Sequence, residues 1–154
     1  MAKGKHPIPG AGIIVWRGDD VLLIKRGKPP FQGQWSIPGG KIEFGETAPE
    51  AALRELMEET GVTAQIVGLI DVIDSIGQRQ ETGQSQAESD WHYLLVDYAA
   101  QWVSGEPVAG DDACEAVFFP YQKALELTLW DKTRDVISRS RDMINALPVP
   151  QSTP

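Results

Sequence analysis

The chain has 154 residues, of which 42% are hydrophobic and 23% charged, and its formal net charge at pH 7 is −8. Length and composition indicate one globular domain over residues 1–154. The acidic excess argues against a nucleic-acid-binding groove, which needs clustered Lys and Arg, and means that positive charge for binding phosphates must come from elsewhere, for example from a metal ion.

The N-terminal segment, residues 1–9, carries two prolines and three basic groups, so we expect a mobile arm or a lead into a sheet edge. It has no apolar core of the kind that a signal peptide needs. Elsewhere no apolar run approaches the roughly 20 residues of a membrane span. With Cys114 as the single cysteine, no internal disulfide can form. We expect a cytoplasmic protein without membrane association.

Two apolar runs after this arm predict a β-hairpin. Ala11–Trp16 and Val21–Lys25 are rich in β-branched residues, and the sequence Arg-Gly-Asp-Asp between them is typical of a turn. Basic residues follow at 25, 26 and 28, ahead of a Pro-Pro pair. They fit either a solvated basic loop or a phosphate-binding segment, for which Arg26 is the candidate.

The next segment carries start and stop signals of a helix. Thr47 with Glu50 three residues later is a capping-box pattern, Pro49 suits the first turn, and Gly61 suits a left-handed C-cap. These signals predict a helix over Ala48–Thr60.

Charge is distributed unevenly around this predicted helix. At about 100° per residue, one arc contains Ala52, Leu53, Leu56, Met57 and Thr60, and the opposite arc contains Arg54, Glu55, Glu58 and Glu59. Like charges at this spacing destabilise a helix by roughly 0.2–0.5 kcal/mol per pair. Anions near the C-terminus cost roughly a further 0.3–1 kcal/mol. Bound Mg²⁺ or Mn²⁺ would offset these costs; the alternative is a solvated acidic face with an ion pair from Arg54.

The wider spacing resembles a known motif. Gly40, then Glu46 after five residues, then Arg54-Glu-Leu-Met-Glu-Glu-Thr-Gly-Val62 after seven more, is similar to the Nudix box of the Nudix (MutT-type) hydrolases. The preceding Trp-Ser-Ile-Pro-Gly-Gly sequence and the region around Glu115 also resemble that family, so the likeness covers roughly residues 8 to 140. It implies the Nudix fold, an α/β/α sandwich with a central mixed β-sheet.

The resemblance also implies which residues form the site. Its metal ligands would be Glu55, Glu58, Glu59 and a backbone carbonyl at Gly39 or Gly40, with Mg²⁺ or Mn²⁺ as the ion. Glu55 either binds metal or activates water, and Arg54 holds a neighbouring carboxylate in position. Glu46 would support this network, whereas Glu115 would be a further metal ligand or the base.

Beyond the helix, three stretches are rich in strand-forming residues: Gln65–Asp74, Trp91–Val103 and Glu115–Phe119. The first is apolar enough to predict a largely buried strand. A C-terminal helix is expected within residues 130–147, followed by a Pro-rich flexible tail over 148–154. Residues 75–90 are polar and predict a long loop, which is either disordered or a lid that carries Arg79 over the cleft.

The function that the resemblance implies is hydrolysis of the pyrophosphate bond in a nucleoside diphosphate linked to another moiety. The overall pattern is similar to ADP-ribose pyrophosphatase-like members, so ADP-ribose or a similar sugar nucleotide is the expected substrate, with Arg26, Lys41 and Arg79 as candidate contacts. The proline that marks dedicated ADP-ribose pyrophosphatases is absent, since no proline occurs between Pro49 and Pro107.

Two other functions remain open from the sequence. One is a nucleoside triphosphate pyrophosphohydrolase, including one that removes oxidised nucleotides. The other is a module that senses a nucleotide without cleaving it, although such a state usually lacks box carboxylates, and here all four box glutamates are present. A homodimer is expected because many relatives are dimers.

Overall fold

The structure is a computed structural model that describes residues 5–28, 31–77 and 91–148. Arg79, most of the expected loop over 75–90, the first residues of the predicted arm and nearly all of the predicted tail lie outside the described residues. None of the helices in the described ranges combines the length and apolar character needed to cross a membrane.

The described strands form one mixed sheet with the order β3-β2-β1-β6-β5, in which β4 also pairs with β1 and β7 with β2. The strands are β1 (Ile8–Arg17), β2 (Asp20–Arg26), β3 (Trp35–Ser36), β4 (Gly39–Lys41), β5 (Thr63–Gly77), β6 (Trp91–Ser104) and β7 (Ala113–Pro120). The pair β1–β6 is parallel and the other pairs are antiparallel. The predicted N-terminal hairpin is therefore confirmed as β1 and β2.

The hairpin strands separate soon after their turn. β1 and β2 pair only at Trp16 with Val21 and at Arg17 with Asp20. Beyond that point β4 pairs with the first half of β1, and β3 pairs with the end of β2. The separation opens a space on the sheet between β1 and β2, which the short strands β3 and β4 border.

Helices cover both faces of the sheet. They are α1 (Ala48–Thr60), α2 (Tyr121–Leu125) and α3 (Asp131–Asn145). On one face Ala51, Ala52 and Leu56 of α1 pack on Ala11, Ile13 and Val15 of β1. On the other face Val136 and Ile137 of α3 pack on Ile14, Trp16 and Leu23. The expected α/β/α sandwich with a central mixed sheet is therefore confirmed.

Helix α1 has the predicted ends. The Thr47 hydroxyl accepts a hydrogen bond from Glu50 N–H at 3.3 Å and donates one to the Glu50 carboxylate at 2.8 Å. Gly61 closes the helix with a φ of 71°, a left-handed conformation that glycine adopts without steric cost. Helix α1 is thus fixed at both ends by local sequence.

The orientation of α1 differs from the one that periodicity predicted. Leu53 and Met57 are 37% and 47% exposed, whereas Glu59 is only 5% exposed. The sheet contacts the helix along Ala51, Ala52, Leu56 and Thr60, which turns Glu59 toward β4 instead of toward solvent. The prediction that all four charged residues lie on an outer acidic face was wrong for Glu59, because the helix also packs against the Gly-rich turn at β4.

Strand β5 is less buried than its composition predicted. Ile70 and Ile73 are each 8% exposed, but Leu69, Val72 and Ile76 are 51%, 45% and 60% exposed. Within the described ranges β5 pairs only with β6, so it lies at the edge of the sheet, where the helices leave part of it open. It also continues through Gly77, which pairs with Trp91, so the polar segment expected from residue 75 starts later.

Candidate active site

A cleft of about 670 Å³ opens where β1 and β2 separate. One end is bordered by the carboxylates of α1, by β4 and by Asp111, and the other end lies against the start of α3 at Trp130, Lys132 and Thr133. Its floor includes Gly12 of β1 and Asp97 of β6. The cleft therefore joins a strongly acidic end to an end lined by sheet residues and by α3.

Acidic side chains outnumber basic ones along this cleft. The carboxyl groups belong to Glu43, Glu55, Glu58, Glu59, Asp97, Asp111 and Asp112, and the basic groups belong to Arg26, Lys41, Arg54 and Lys132. A substrate that carries phosphates would meet net negative charge there. An added cation would reduce this repulsion.

Asp111 reaches the α1 carboxylates because the segment before β7 packs on the end of α1. The Val108 N–H donates to the carbonyl of Thr60 at 2.9 Å, and the Gly110 N–H donates to the carbonyl of Glu59 at 3.0 Å. These bonds satisfy helix carbonyls that have no partner within the helix. They bring Asp111 to the helix, where carboxylate oxygens of Glu55, Glu58 and Asp111 lie within 4.8 Å of one another.

Arg54 connects the carboxylates at this end of the cleft. Its guanidinium donates to both carboxylate oxygens of Glu46, at 2.6 and 2.9 Å, and to Glu55 Oε1 at 2.8 Å. It also reaches Glu58 Oε2 at 3.2 Å and the carbonyl of Lys41 at 3.0 Å. A planar guanidinium suits such a bidentate arrangement. Arg54 therefore holds Glu55 and ties the helix to the segment that follows β4.

Burial changes the acidity of two glutamates in the cluster. Burial raises the pKa of Glu59 to about 8, even though the Gly39 N–H donates to its carboxylate at 2.8 Å. The pKa of Glu55 is also raised, chiefly by burial, while Arg54 opposes the increase. The neighbouring carboxylates contribute in the same direction in both cases. Positive charge placed among these groups would stabilise their ionised forms.

The glycines of β4 allow the close approach of loop and helix. A β-carbon on Gly40 would overlap the carboxyl group of Glu55, and one on Gly39 would collide with the backbone of β1 at Ala11 and Gly12. Glycine at both positions leaves this space free without displacing a neighbouring group. The backbone of β4 can therefore lie directly against the carboxylate of α1.

Residues 6–140 match the NUDIX domain family. The chain belongs to this family. An ADP-ribose pyrophosphatase from Methanocaldococcus jannaschii is 38% identical over 114 residues, which cover 74% of this chain and 62% of that protein. An 8-oxo-(d)GTP phosphatase from Mycolicibacterium smegmatis is 29% identical over 150 residues, which cover 89% of this chain and 42% of that protein. The chain thus spans less than two-thirds of the length of these curated relatives.

Solved structures of NUDIX proteins share the fold. A MutT NUDIX hydrolase from Burkholderia pseudomallei superposes with a TM-score of 0.69 at 27% identity, covering 88% of this chain and 98% of that chain. The NUDIX domain of Shewanella oneidensis NrtR, crystallised with ADP-ribose, gives a TM-score of 0.73 at 20% identity, covering 92% and 90% of the two chains. The likeness to NrtR is one of fold.

The donor set of this NUDIX domain fits a hard divalent cation. Three carboxylate groups converge within 4.8 Å, and all are oxygen donors of the kind that Mg²⁺ and Mn²⁺ prefer. Arg54 neutralises only part of the local charge, since it contacts carboxylates of Glu46, Glu55 and Glu58 at the same time. A cation would therefore reduce repulsion that the side chains present do not fully compensate.

The structure brings most of the predicted site residues of the NUDIX domain to one place. Gly40, Lys41, Arg54, Glu55, Glu58 and Glu59 all border the acidic end of the cleft, and Arg26 lines the cleft from β2. Glu115 lies apart from them. It pairs with Lys25 across β2 and β7 at 3.3 Å, its side chain is 50% exposed, and it does not line the cleft. The catalytic role of Glu115 stays a prediction, as does the substrate contact of Arg79.

Among the cleft residues that the sequence did not predict are Asp111 and Asp97. Asp111 belongs to an acidic turn that is held against α1 by backbone hydrogen bonds to helix carbonyls. No local sequence pattern predicts these bonds. Asp97 had a usable signal, because it is a single carboxylate in the apolar strand sequence Leu-Leu-Val-Asp-Tyr-Ala-Ala. A charged residue in such a strand indicates either an edge position or a functional cavity.

Proposed function

We propose that this NUDIX domain catalyses the metal-dependent hydrolysis of the pyrophosphate bond in a nucleoside diphosphate linked to another moiety, with ADP-ribose or a similar sugar nucleotide as substrate. The observation that carries the proposal is the convergence of the Glu55, Glu58 and Asp111 carboxylates at one end of a cleft of about 670 Å³. Such a volume is in the range of cavities that bind small molecules.

The carboxylates and β4 supply the groups that would hold the cation. Glu55, Glu58 and Asp111 offer converging oxygens, Glu59 lies beside them, and the carbonyl of Gly40 is the backbone candidate. Mg²⁺ is the proposed ion, with Mn²⁺ as the alternative, and bound there it would neutralise negative charge on the phosphates. The resemblance to Nudix hydrolases supports this ligand set, to which the geometry adds Asp111.

The remaining polar residues are assigned to positioning. Arg54 would hold Glu55 in place through the bond at 2.8 Å, so that Glu55 serves either as a ligand or as the acceptor of a proton from the attacking water. Arg26 and Lys41 would contact phosphate or sugar oxygens from the two sides of the cleft. Hydrolysis breaks one P–O bond of the anhydride and adds the water oxygen to one phosphorus, which for ADP-ribose gives AMP and ribose 5-phosphate.

The choice of ADP-ribose is supported by the relative from Methanocaldococcus jannaschii, at 38% identity. A second candidate function, hydrolysis of nucleoside triphosphates including oxidised ones, is supported by the 8-oxo-(d)GTP phosphatase whose similarity covers 89% of this chain. A putative 8-oxo-dGTP diphosphatase of Bacillus subtilis is 44% identical, over 64 residues. The two functions share the same acidic end of the cleft and differ in what occupies the rest of it.

A substrate panel separates these functions. Purified protein is incubated with Mg²⁺ and with ADP-ribose, other sugar nucleotides, dinucleotides, nucleoside triphosphates and 8-oxo-dGTP, and products are identified by mass. We expect the highest kcat/KM with ADP-ribose or a sugar nucleotide, and no turnover with EDTA. Turnover confined to triphosphates would replace the first function by the second, and absence of turnover with every compound would contradict both.

Isotope labelling adds a mechanistic test. With water enriched in ¹⁸O, one of the two products carries the label, and its mass identifies the phosphorus that water attacks. The proposed reaction gives one labelled phosphate monoester per turnover. Label in a sugar hydroxyl group of a product, instead of in its phosphate group, would contradict attack of water on phosphorus.

The homodimer and the cytoplasmic location that we expect from the sequence stay predictions. Exposed apolar side chains on β5, such as Ile76 at 60% exposure, would be compatible with association. Light scattering over a concentration series tests the homodimer directly.

A further inference from the structure

Asp97 is a buried carboxyl group on the floor of the cleft, in the middle of β6. Its residue is 4% exposed, and it lies opposite Gly12 in the parallel pairing of β6 with β1. A β-carbon on Gly12 would overlap Oδ1 of Asp97, so the glycine leaves the space that the carboxyl group occupies. This part of β1 therefore accommodates an acidic side chain on an otherwise apolar sheet.

The carboxyl group of Asp97 faces the cleft without a donor. Among the residues that the structure describes, none donates a hydrogen bond to it. In the same described residues every fully enclosed side-chain nitrogen or oxygen has a hydrogen-bond partner. The oxygens of Asp97 are thus not sealed in the core, and the residue lines the cleft, from which they are reached.

Burial without a partner is costly for an acidic group, so its retention calls for a ligand. Burial raises the pKa of Asp97 to about 7, with a smaller contribution from the negative charge of Asp71 on the neighbouring strand. Asp71 itself is bound by Arg139, at 2.7 Å. At neutral pH the Asp97 carboxyl group is therefore able both to accept a hydrogen bond and to donate one.

The surroundings of Asp97 suit a flat ring. The cleft that Asp97 lines also has six large apolar side chains in its wall, those of Ile24, Ile37, Ile73, Leu95, Val136 and Trp130. A ribose carries several hydroxyl groups, each of which needs a polar partner when buried. A nucleobase has apolar faces and one or two polar edges, which matches apolar walls with a single carboxyl group on the floor.

We propose that Asp97 determines base specificity, its carboxyl group hydrogen-bonding an N–H group on the edge of the substrate's nucleobase while the ring lies between the apolar side chains. This inference rests on the proposed function, since it assumes that the phosphates bind at the acidic end of the same cleft. It assigns the part of the cleft around Asp97, between β6 and α3, to the nucleobase.

The test measures binding of ligands that cannot be hydrolysed. AMP, GMP, CMP and UMP contain no anhydride bond, so each is titrated by calorimetry or NMR into protein with Mg²⁺. Wild-type protein is expected to prefer one base by at least about 10-fold, the effect of one hydrogen bond to a charged or polar group. In Asp97→Leu, which has a similar side-chain size, we expect this preference to fall below about 3-fold.

Ribose 5-phosphate serves as the matched ligand because it has the same sugar and phosphate without a base. We expect its affinity to be equal in wild-type protein and Asp97→Leu. The matched protein variant is Asp135→Leu, an exposed acidic residue of α3, which should keep the wild-type base preference. If Asp97→Leu does not fold, as judged by circular dichroism, Asp97→Asn takes its place and is expected to change which base is preferred.

Three results would overturn the proposal. They are the same base preference in wild-type protein and Asp97→Leu, no base preference in wild-type protein, or binding of ribose 5-phosphate that Asp97→Leu weakens as much as binding of the nucleotides. On the substrate that the panel identifies, we expect Asp97→Leu to raise KM by about 10-fold with kcat within about 3-fold. Because monophosphate binding does not depend on turnover, a failure of the proposed hydrolysis is distinguished from a failure of the base assignment.

Discussion

Gly40 lies so close to Glu55 that a β-carbon on residue 40 would overlap Cδ of that glutamate. The atoms it would meet are at the far end of a flexible side chain, so Gly40→Ala can fold by displacing the carboxyl group. We expect a loss of kcat of about 10- to 100-fold, the range seen when groups that support a metal site are changed. The melting temperature should change little.

The control for this substitution is Gly68→Ala on β5, whose new methyl group would meet only the flexible end of Met143 at 3.0 Å. It should keep full activity. Wild-type activity in Gly40→Ala, with a crystal structure showing Glu55 in its original position, would contradict the steric argument.

Glu58 is expected to be required for turnover but not for folding. Its side chain is 44% exposed and pairs with Arg54 at 3.2 Å, so Glu58→Gln should leave the free energy of unfolding within about 0.5 kcal/mol of wild type. We expect kcat with Mg²⁺ to fall at least about 100-fold. Glu126→Gln, an exposed glutamate after α2, is the control. Comparable turnover in Glu58→Gln and wild type would reject the metal assignment.

Asp111 is expected to contribute to cation affinity. Its φ of 53° is a left-handed conformation that asparagine also tolerates, so Asp111→Asn changes the charge while keeping the backbone. We expect the Kd for Mn²⁺, measured by electron paramagnetic resonance, to rise about 10- to 100-fold. Asp112→Asn is the matched control, because Asp112 also borders the cleft but pairs with Lys28, at 2.9 Å. Equal effects of the two substitutions would point to general electrostatics instead of ligation.

Arg54 and Glu46 are expected to act as one unit. The guanidinium binds both oxygens of Glu46, at 2.6 and 2.9 Å, and the same group holds Glu55. Arg54→Lys loses the bidentate geometry, and we expect it and Glu46→Gln each to lower kcat/KM by about 10-fold or more. The double variant should be little worse than the more severe single variant. Additive losses in a double-mutant cycle would show that the two residues act independently.

Asp97 is expected to make stability depend on pH. Its pKa is about 7 in the folded protein and near 3.8 when unfolded, so the folded state binds more protons between these values. The free energy of unfolding therefore falls as pH rises from about 4 to about 7 and levels off above, by on the order of a few kcal/mol. Urea titrations of metal-free protein should show a shallower fall in Asp97→Asn. An identical pH profile in both proteins would contradict the raised pKa.

Local signals in the sequence predicted the bounds of helix α1 accurately. Thr47 and Gly61 fix its ends through contacts with residues three or four positions away. Contacts between residues so close in the chain can be predicted from the local sequence. The sequence did not predict which face of the helix packs on the protein. Glu59 is buried against β4, where it accepts a hydrogen bond from Gly39, twenty residues earlier in the chain. Periodicity distinguishes polar from apolar arcs, but it cannot identify a polar residue that is buried because its partner lies on another element.

The cleft required tertiary information as well. Asp111 joins the carboxylates through backbone bonds to the end of α1, and Asp97 faces the cleft only because Gly12 lies beside it on a parallel strand. The apolar composition of β5 also led to a wrong prediction of its burial. Part of the strand is exposed because β5 lies at the edge of the sheet, which its own residues do not reveal. In each case the sequence did not show which element lies beside the residue in the folded protein.

The contacts of Val108 and Gly110 with the last carbonyls of α1 link the two sources of carboxylates in this domain. Fraying of that single helical turn would disperse the donors from both elements at once. Cation affinity at the proposed site would therefore depend on order in a short stretch of backbone as much as on the acidic side chains themselves.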